Sequence, residues 1–194
     1  MKRYVDPFDY AGQICKAMKK GILLTTKANG QVNTMTIGWG VIGIQWNKPI
    51  FIGLVRESRH TRKLLDVGQE FTVNIPVGEI DSKILGYCGT KSGADTDKIR
   101  DMKLTLEDSE NISVPGIREL PLTLECKVLY QQLQDLSALP EDVLQRFYPQ
   151  NVDSSFSGSN RDAHIAYYAE IVNAYIIEDG DAIDVRGTIF RVEK

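Results

Sequence analysis

The feature that most constrains this chain is the dipeptide Asn29-Gly30, set between an apolar, β-branched run at 21–26 and a second run at 31–37. Both residues tolerate positive φ, which a two-residue type I′ turn requires, so the pair predicts an antiparallel β-hairpin. Further strand signals follow at 38–43, 50–55, 70–75, 122–130, 163–177 and 182–192, with a turn read at 47–49. Helical patterns are confined to short stretches at 9–20, 61–67, 80–86, 96–102 and 140–147. Many strands with few, short helices predict a mainly β, antiparallel barrel with peripheral helices. Gly38, Gly40, Gly43 and Gly53 interrupt the strand runs. Such glycines mark bends or close approach, which barrel closure or a bound ligand would each explain. The polar stretch 135–161 surrounds one short helix and reads as an excursion from the barrel, either a lid or a dimer arm.

The length of 194 residues suits one domain spanning 1–194. With 42% hydrophobic and 25% charged residues, the composition is that of a folded chain rather than a disordered one. A net charge of -3 supplies no basic footprint for a phosphate backbone, so no nucleic-acid partner is expected. Residues 1–21 lack the apolar run and small-residue cleavage site of a signal peptide, and no run reaches the roughly 18 apolar residues of a membrane span. The three cysteines, Cys15, Cys88 and Cys126, form neither a disulfide framework nor a CxxC metal pattern, so a reducing, cytoplasmic setting without a metal site is expected.

Four segments could carry chemistry. In 33–39, strand alternation puts Asn33, Met35 and Ile37 on one face and Thr34 and Thr36 on the other. Hydroxyls and amides beside Gly38 and Trp39 would suit the polar edge of a heteroaromatic ring; an ordinary hairpin strand with surface threonines fits equally. In 56–61, Arg56, Ser58, Arg59, His60 and Thr61 precede a helix, where unpaired amides and guanidinium forks match phosphate oxygens. The plainer reading makes Ser58 or Thr61 an N-cap and leaves the arginines solvated. The stretch 87–98 combines glycines, hydroxyls and lysines without the order of a P-loop, and taken alone it reads as a solvated turn. Finally, His164 opens a strand, where a lone histidine is usually structural. Cys88 has no Cys-His-Asn pattern around it and reads as a quiet buried thiol.

Taken in order, Asn33-x-Met35-Thr36-Ile37-Gly38-Trp39, Ser58-Arg59-x-Thr61, Cys88-Gly89-x-x-Ser92-Gly93 with Asp97-Lys98, and His164-x-x-Tyr167-x-x-Glu170 resemble the flavin reductase-like FMN-binding split-barrel family, in particular its flavoredoxin branch. The resemblance runs from about residue 20 to 177. It implies a six-stranded antiparallel Greek-key split barrel, a homodimer, and FMN at the subunit interface. It also implies that Met35, Thr36, Ile37, Gly38 and Trp39 pass along the flavin ring and that Ser58, Arg59 and Thr61 grip the phosphate. Ser92 and Lys98 then form a second clamp near the phosphate or ribityl chain, Cys88 and Gly89 join the cofactor-binding set, and His164 is the candidate catalytic group. Hydride would pass from NADH or NADPH to flavin N5 and onward to an unidentified acceptor. The alternative within the family is an FMN electron carrier without efficient NAD(P)H turnover. Ala169 departs from the pattern, standing where members often carry glycine.

Overall fold

The computed structural model describes residues 1–153, 160–178, 182–183 and 189–190. Its strands are β1 (Lys2–Tyr4), β2 (Ile22–Ala28), β3 (Gln31–Ile37), β4 (Gly40–Gln45), β5 (Lys48–Arg56), β6 (Glu70–Ile75), β7 (Leu106–Glu107), β8 (Gly116–Ile117), β9 (Leu122–Leu133) and β10 (His164–Ile177), followed by the pair β11 (Ala182–Ile183) and β12 (Ile189–Phe190). Five helices decorate them: α1 (Ala11–Met18), α2 (His60–Gly68), α3 (Ser82–Thr90), α4 (Lys98–Asp101) and α5 (Glu141–Phe147).

The principal sheet is antiparallel, in the order β3-β2-β6-β9-β10-β5-β4, with β1 paired to β10. It holds eight strands where six were expected. The N-terminal strand β1 spans only three residues and pairs far along the sequence, Lys2 opposite Ile177, so no local pattern announces it. The two ends of the order, β3 and β4, are consecutive in sequence and joined only by Gly38-Trp39. Six antiparallel pairings separate them, so the two strands run in the same sense and the link joins them end to end. A trans peptide advances one Cα by 3.80 Å, so Ile37 lies within about 11 Å of Gly40. The sheet therefore curls into a barrel whose seam lies where β3 gives way to β4 at Gly38-Trp39. Its corners fall on β10, where the register with β9 shifts between Tyr168 and Ala169 and again between Ile171 and Asn173; such bulges bend a strand and raise its twist.

The hairpins follow from backbone chirality. Asn29 and Gly30 have φ of 51° and 78°, the positive pair that a type I′ turn needs. A second tight turn uses Trp46 and Asn47, at 52° and 56°, rather than the 47–49 segment, because Lys48 and Pro49 already pair in β5. Gly40 answers the question its sequence raised. A Cβ there would stand 2.9 Å from the Ile52 carbonyl oxygen, so seam packing requires glycine without any ligand.

Alternation fills the barrel with Ile22, Leu24, Ile37, Phe51, Phe71, Val73, Leu122, Leu124 and Tyr167. On the outer face, Leu23 enters a second cluster with Ile84, Cys88, Leu104, Ile117 and Leu120. On that same outer face lies a polar row in lateral register, Thr34, Thr25, Thr72 and Glu125, all buried. Thr25 Oγ1 donates to Thr34 Oγ1 at 3.0 Å, and Thr72 Oγ1 to the Pro115 carbonyl at 2.8 Å. Glu125 accepts the backbone N–H groups of Glu110 and Asn111 at 2.9 and 2.8 Å. The covering loop is thus pinned by a carboxylate with both oxygens engaged.

Replacing that carboxylate by an amide turns a donor toward one of these N–H groups and leaves it unmatched. Glu125→Gln should lower the unfolding free energy by about 1.5–3 kcal/mol in urea titration. An unchanged midpoint would show that the loop is held by its apolar contacts instead.

Candidate functional site

The sequence candidates converge on two adjoining cavities at the barrel seam. The larger, about 150 Å³, is lined by Met35, Thr36, Ile37, Gly38, Trp39, Leu54, Arg56, Arg59 and His164. The smaller, about 30 Å³, is bounded by Met35, Ser58, Arg59, His60, Thr61, Cys88, Gly89, Ser92 and Lys98, among others. Met35 and Arg59 belong to both. The link that closes the sheet thus forms one wall of the site, and the start of α2 forms the floor between the two cavities.

The smaller cavity is built for negative charge. The helix α2 begins after Arg59 in extended geometry, and no side chain caps it. Ser58 and Thr61 are therefore not N-caps. The Ser58 N–H donates to Asp162 Oδ2 at 2.8 Å, and Thr61 Oγ1 accepts from Asn33 Nδ2 at 2.8 Å. The amides of a helix start left without a side-chain cap carry partial positive charge. Beside them His60 Nε2 is buried without a hydrogen-bond partner among the described residues. Lys98, only 4% exposed, donates to the carbonyls of Thr34 and Cys88 at 3.0 and 2.9 Å. Among the described residues no carboxylate lies within ion-pair distance of its ammonium. Burial, assisted by the Arg59 charge, pushes the Lys98 pKa down to about 8. Gly93 adds close approach, since a Cβ there would stand 2.0 Å from Asn33 Oδ1.

The larger cavity is rimmed by rings and cations. His164 is buried, its ring 4.9 Å from Trp39, and its Nδ1 is 2.9 Å from the Tyr148 hydroxyl. Burial first, then the Arg56 charge, lowers its pKa from 6.5 to about 4, so it is neutral at physiological pH. Arg56, 7% exposed, donates to the carbonyls of Phe147, Asn160 and Asp162. The Thr36 hydroxyl donates to the Leu85 carbonyl at 2.7 Å, so its proton is already committed. Thr34 is buried rather than a surface threonine.

Other candidates take structural roles. Tyr167 lies in the barrel core and donates to Asp66 at 2.6 Å; Glu170 pairs with Lys48 at 2.8 Å. Ala169 pairs with Phe51 in the core, so its departure from the family pattern bears on packing rather than on either cavity. Cys88, its pKa pushed by burial to about 11, stays a protonated thiol at neutral pH. The excursion at 135–161 is described except for 154–159, and its described parts pack beside the larger cavity through Phe147 and Tyr148. Two contributors stood in the segment that the sequence singles out, and one escaped it. Arg56 and His60 stood inside a flagged segment, but their burial left no sequence mark. Tyr148 gave no signal at all. No helix among the described residues is long and apolar enough to cross a membrane.

The flavin reductase like domain model matches residues 17–192, and the chain belongs to that family. The family's class of chemistry is flavin-linked oxidation and reduction. A flavoredoxin from Methanosarcina acetivorans shares the fold with TM-score 0.60 and 24% identity, over 88% of this chain and 73% of that one. A Shewanella frigidimarina protein of flavin reductase type with a split barrel domain superposes at TM-score 0.61 with 16% identity, over 96% and 81% of the two chains. An uncharacterized protein from Archaeoglobus fulgidus is 34% identical over 97 residues, half of this chain and 54% of that relative, so the chain spans about half the length of this curated relative.

The lowered His164 pKa fixes the sign of one pH effect. Unfolding frees the imidazole to bind a proton below its ordinary value of 6.5, which the folded state resists until about 4. Stability present above pH 6.5 is therefore lost as pH falls, by on the order of 3 kcal/mol across that window. The difference between wild-type and His164→Gln unfolding curves from pH 7 to 4 should shrink by that amount; parallel curves would contradict it.

Proposed function

We propose that the chain is an FMN-binding oxidoreductase that takes hydride from NADH or NADPH and passes reducing equivalents to an acceptor. The observation that carries this reading is Lys98, an ammonium buried with carbonyls as its hydrogen-bond partners, beside a helix start without a side-chain cap and a His60 Nε2 that has no partner among the described residues. A buried cation lacking a counter-ion is costly, and an anion removes that cost. A phosphoryl group suits the donors present: the α2 amides, Arg59, Ser92 and Lys98.

The larger cavity takes the ring. Bound FMN supplies the hydride-accepting chemistry, while the protein supplies position and charge. Trp39 and Met35 offer apolar flanks, and Arg56 and Arg59 bring positive charge where electron density rises on reduction. His164 is neutral and contributes as a hydrogen-bonding ring rather than as a cation.

Size supports a dimer. Cavities of about 150 and 30 Å³ fall well below the roughly 300–1,000 Å³ of ligand pockets, and a second surface laid over them would complete the enclosure. One is offered nearby. Val41, Ile52, Tyr168 and Tyr130 form a lateral apolar row across β4, β5, β10 and β9, with Trp46 beside Tyr168. Val41, Trp46 and Tyr130 are all exposed, and β4 is an edge strand. An exposed apolar face of this kind marks an association surface.

Flavin titration tests the phosphate assignment. Lys98→Met should weaken FMN binding by roughly tenfold or more, the loss of one charge-assisted hydrogen bond, while sparing riboflavin, which has no phosphate. Equal effects on both flavins, or none, would refute it. Anaerobic bleaching of bound FMN by NADH or NADPH tests the reductase activity; a flavin that stays oxidised would leave an electron carrier.

A further inference from the structure

The excursion supplies one residue to the site that no pattern in the sequence announces. Tyr148 ends α5 and is buried, 4% exposed, although the segment around it is polar and largely open. Its hydroxyl donates to Gln134 Oε1 at 2.9 Å and sits 2.9 Å from His164 Nδ1. Gln134 is itself tied to the same place, since its backbone N–H donates to the His164 carbonyl at 2.9 Å. The Tyr148 ring meets the imidazole edge-on, centroids 5.6 Å apart, and lies 5.0 Å from the Arg56 guanidinium.

A phenol has one proton. With that proton given to Gln134, the hydroxyl can only accept from His164, so Nδ1 must carry the imidazole hydrogen. In a neutral histidine the second nitrogen is then a bare acceptor, and the bond made by one nitrogen sets the chemistry of the other. The same side chain restricts the ring's tilt from below while Trp39 restricts it from above, 4.9 Å away at 42°.

We propose that Tyr148 is a positioning residue of the flavin site: it locks His164 as the Nδ1–H tautomer, so that Nε2 serves as a fixed hydrogen-bond acceptor on the wall of the larger cavity. The assignment rests on the flavin reading given above. It divides labour within that cavity. Positive charge comes from Arg56 and Arg59, and the lone pair from His164. It also gives the excursion a task in the site, because α5 delivers both Phe147 to Trp39 and Tyr148 to His164.

The test reads the tautomer directly. The chain has only two histidines, so long-range proton–nitrogen NMR of flavin-free protein carrying 15N-histidine shows two imidazole patterns, and His164→Asn identifies which is which. In the wild type, His164 should show a protonated Nδ1 and an unprotonated Nε2. Tyr148→Phe keeps the ring over Arg56 and removes the hydroxyl, and the proton should move to Nε2. Gln134→Leu keeps Tyr148 but takes away its acceptor. The phenol then donates to Nδ1, and the proton should again move to Nε2. In FMN-loaded protein, Tyr148→Phe should leave FMN affinity little changed and slow bleaching by NAD(P)H about tenfold, the usual scale for losing an orienting partner. The slowing should vanish in the His164→Asn background, as expected when one residue acts through another.

A wild-type His164 protonated on Nε2, a tautomer indifferent to both variants, or an equal slowing in the His164→Asn background would each overturn the proposal. Absence of bleaching in the wild type would defeat the reductase reading alone, because the NMR arm needs no flavin and still decides the role of Tyr148.

Discussion

The connection Gly38-Trp39 governs this molecule. Two residues cannot span an open sheet of this width, so a link that carries the chain end to end from one outermost strand into the other forces the sheet to curl until its two edges meet at Gly38-Trp39. The two strands do not pair, and the seam lies at this link. Everything with chemical interest collects there. The connection itself lines one cavity, β5 delivers Arg56 to it, and the strand end of β10 delivers His164. Barrel closure and site construction are the same event, which is why a glycine demanded by packing at Gly40 stands next to residues read as ligand-facing.

Electrostatics complete the picture. Lys98 and Arg56 are both withdrawn from water, and each bonds carbonyl oxygens among the described residues. Carbonyls satisfy hydrogens but do not neutralise charge, so the seam retains a net positive field within a chain whose overall balance is negative. A site of that polarity favours anionic ligands. The flavin reductase like domain match over 17–192 agrees with that bias from an independent direction.

Much of the fold was legible because turns and alternation are local. Asn29-Gly30 gave a hairpin in its true register, and the helix starts near 61, 80 and 140 agree with α2, α3 and α5 to within a few residues. The errors have physical causes. Trp46 takes a left-handed backbone, which its side chain does not advertise, so the turn was read too late. Threonine alternation looks the same whether a strand faces water or a covering loop, so the buried row of Thr34, Thr25 and Thr72 went unseen. Within the site, residues that touch through sequence order were found, whereas Tyr148, which meets His164 only after the chain has left and re-entered the barrel, was invisible.

Arg56 carries a final consequence. One guanidinium holds the carbonyls of Phe147 on the outgoing limb and of Asn160 and Asp162 on the returning one, so both feet of the excursion are stapled to a barrel strand. Closing a longer span between those anchors costs only about 0.6 kcal/mol for each doubling of its length. The staple holds Phe147 against Trp39 whatever the length of chain joining the two limbs, so the aromatic cluster at the seam keeps its geometry when that length changes.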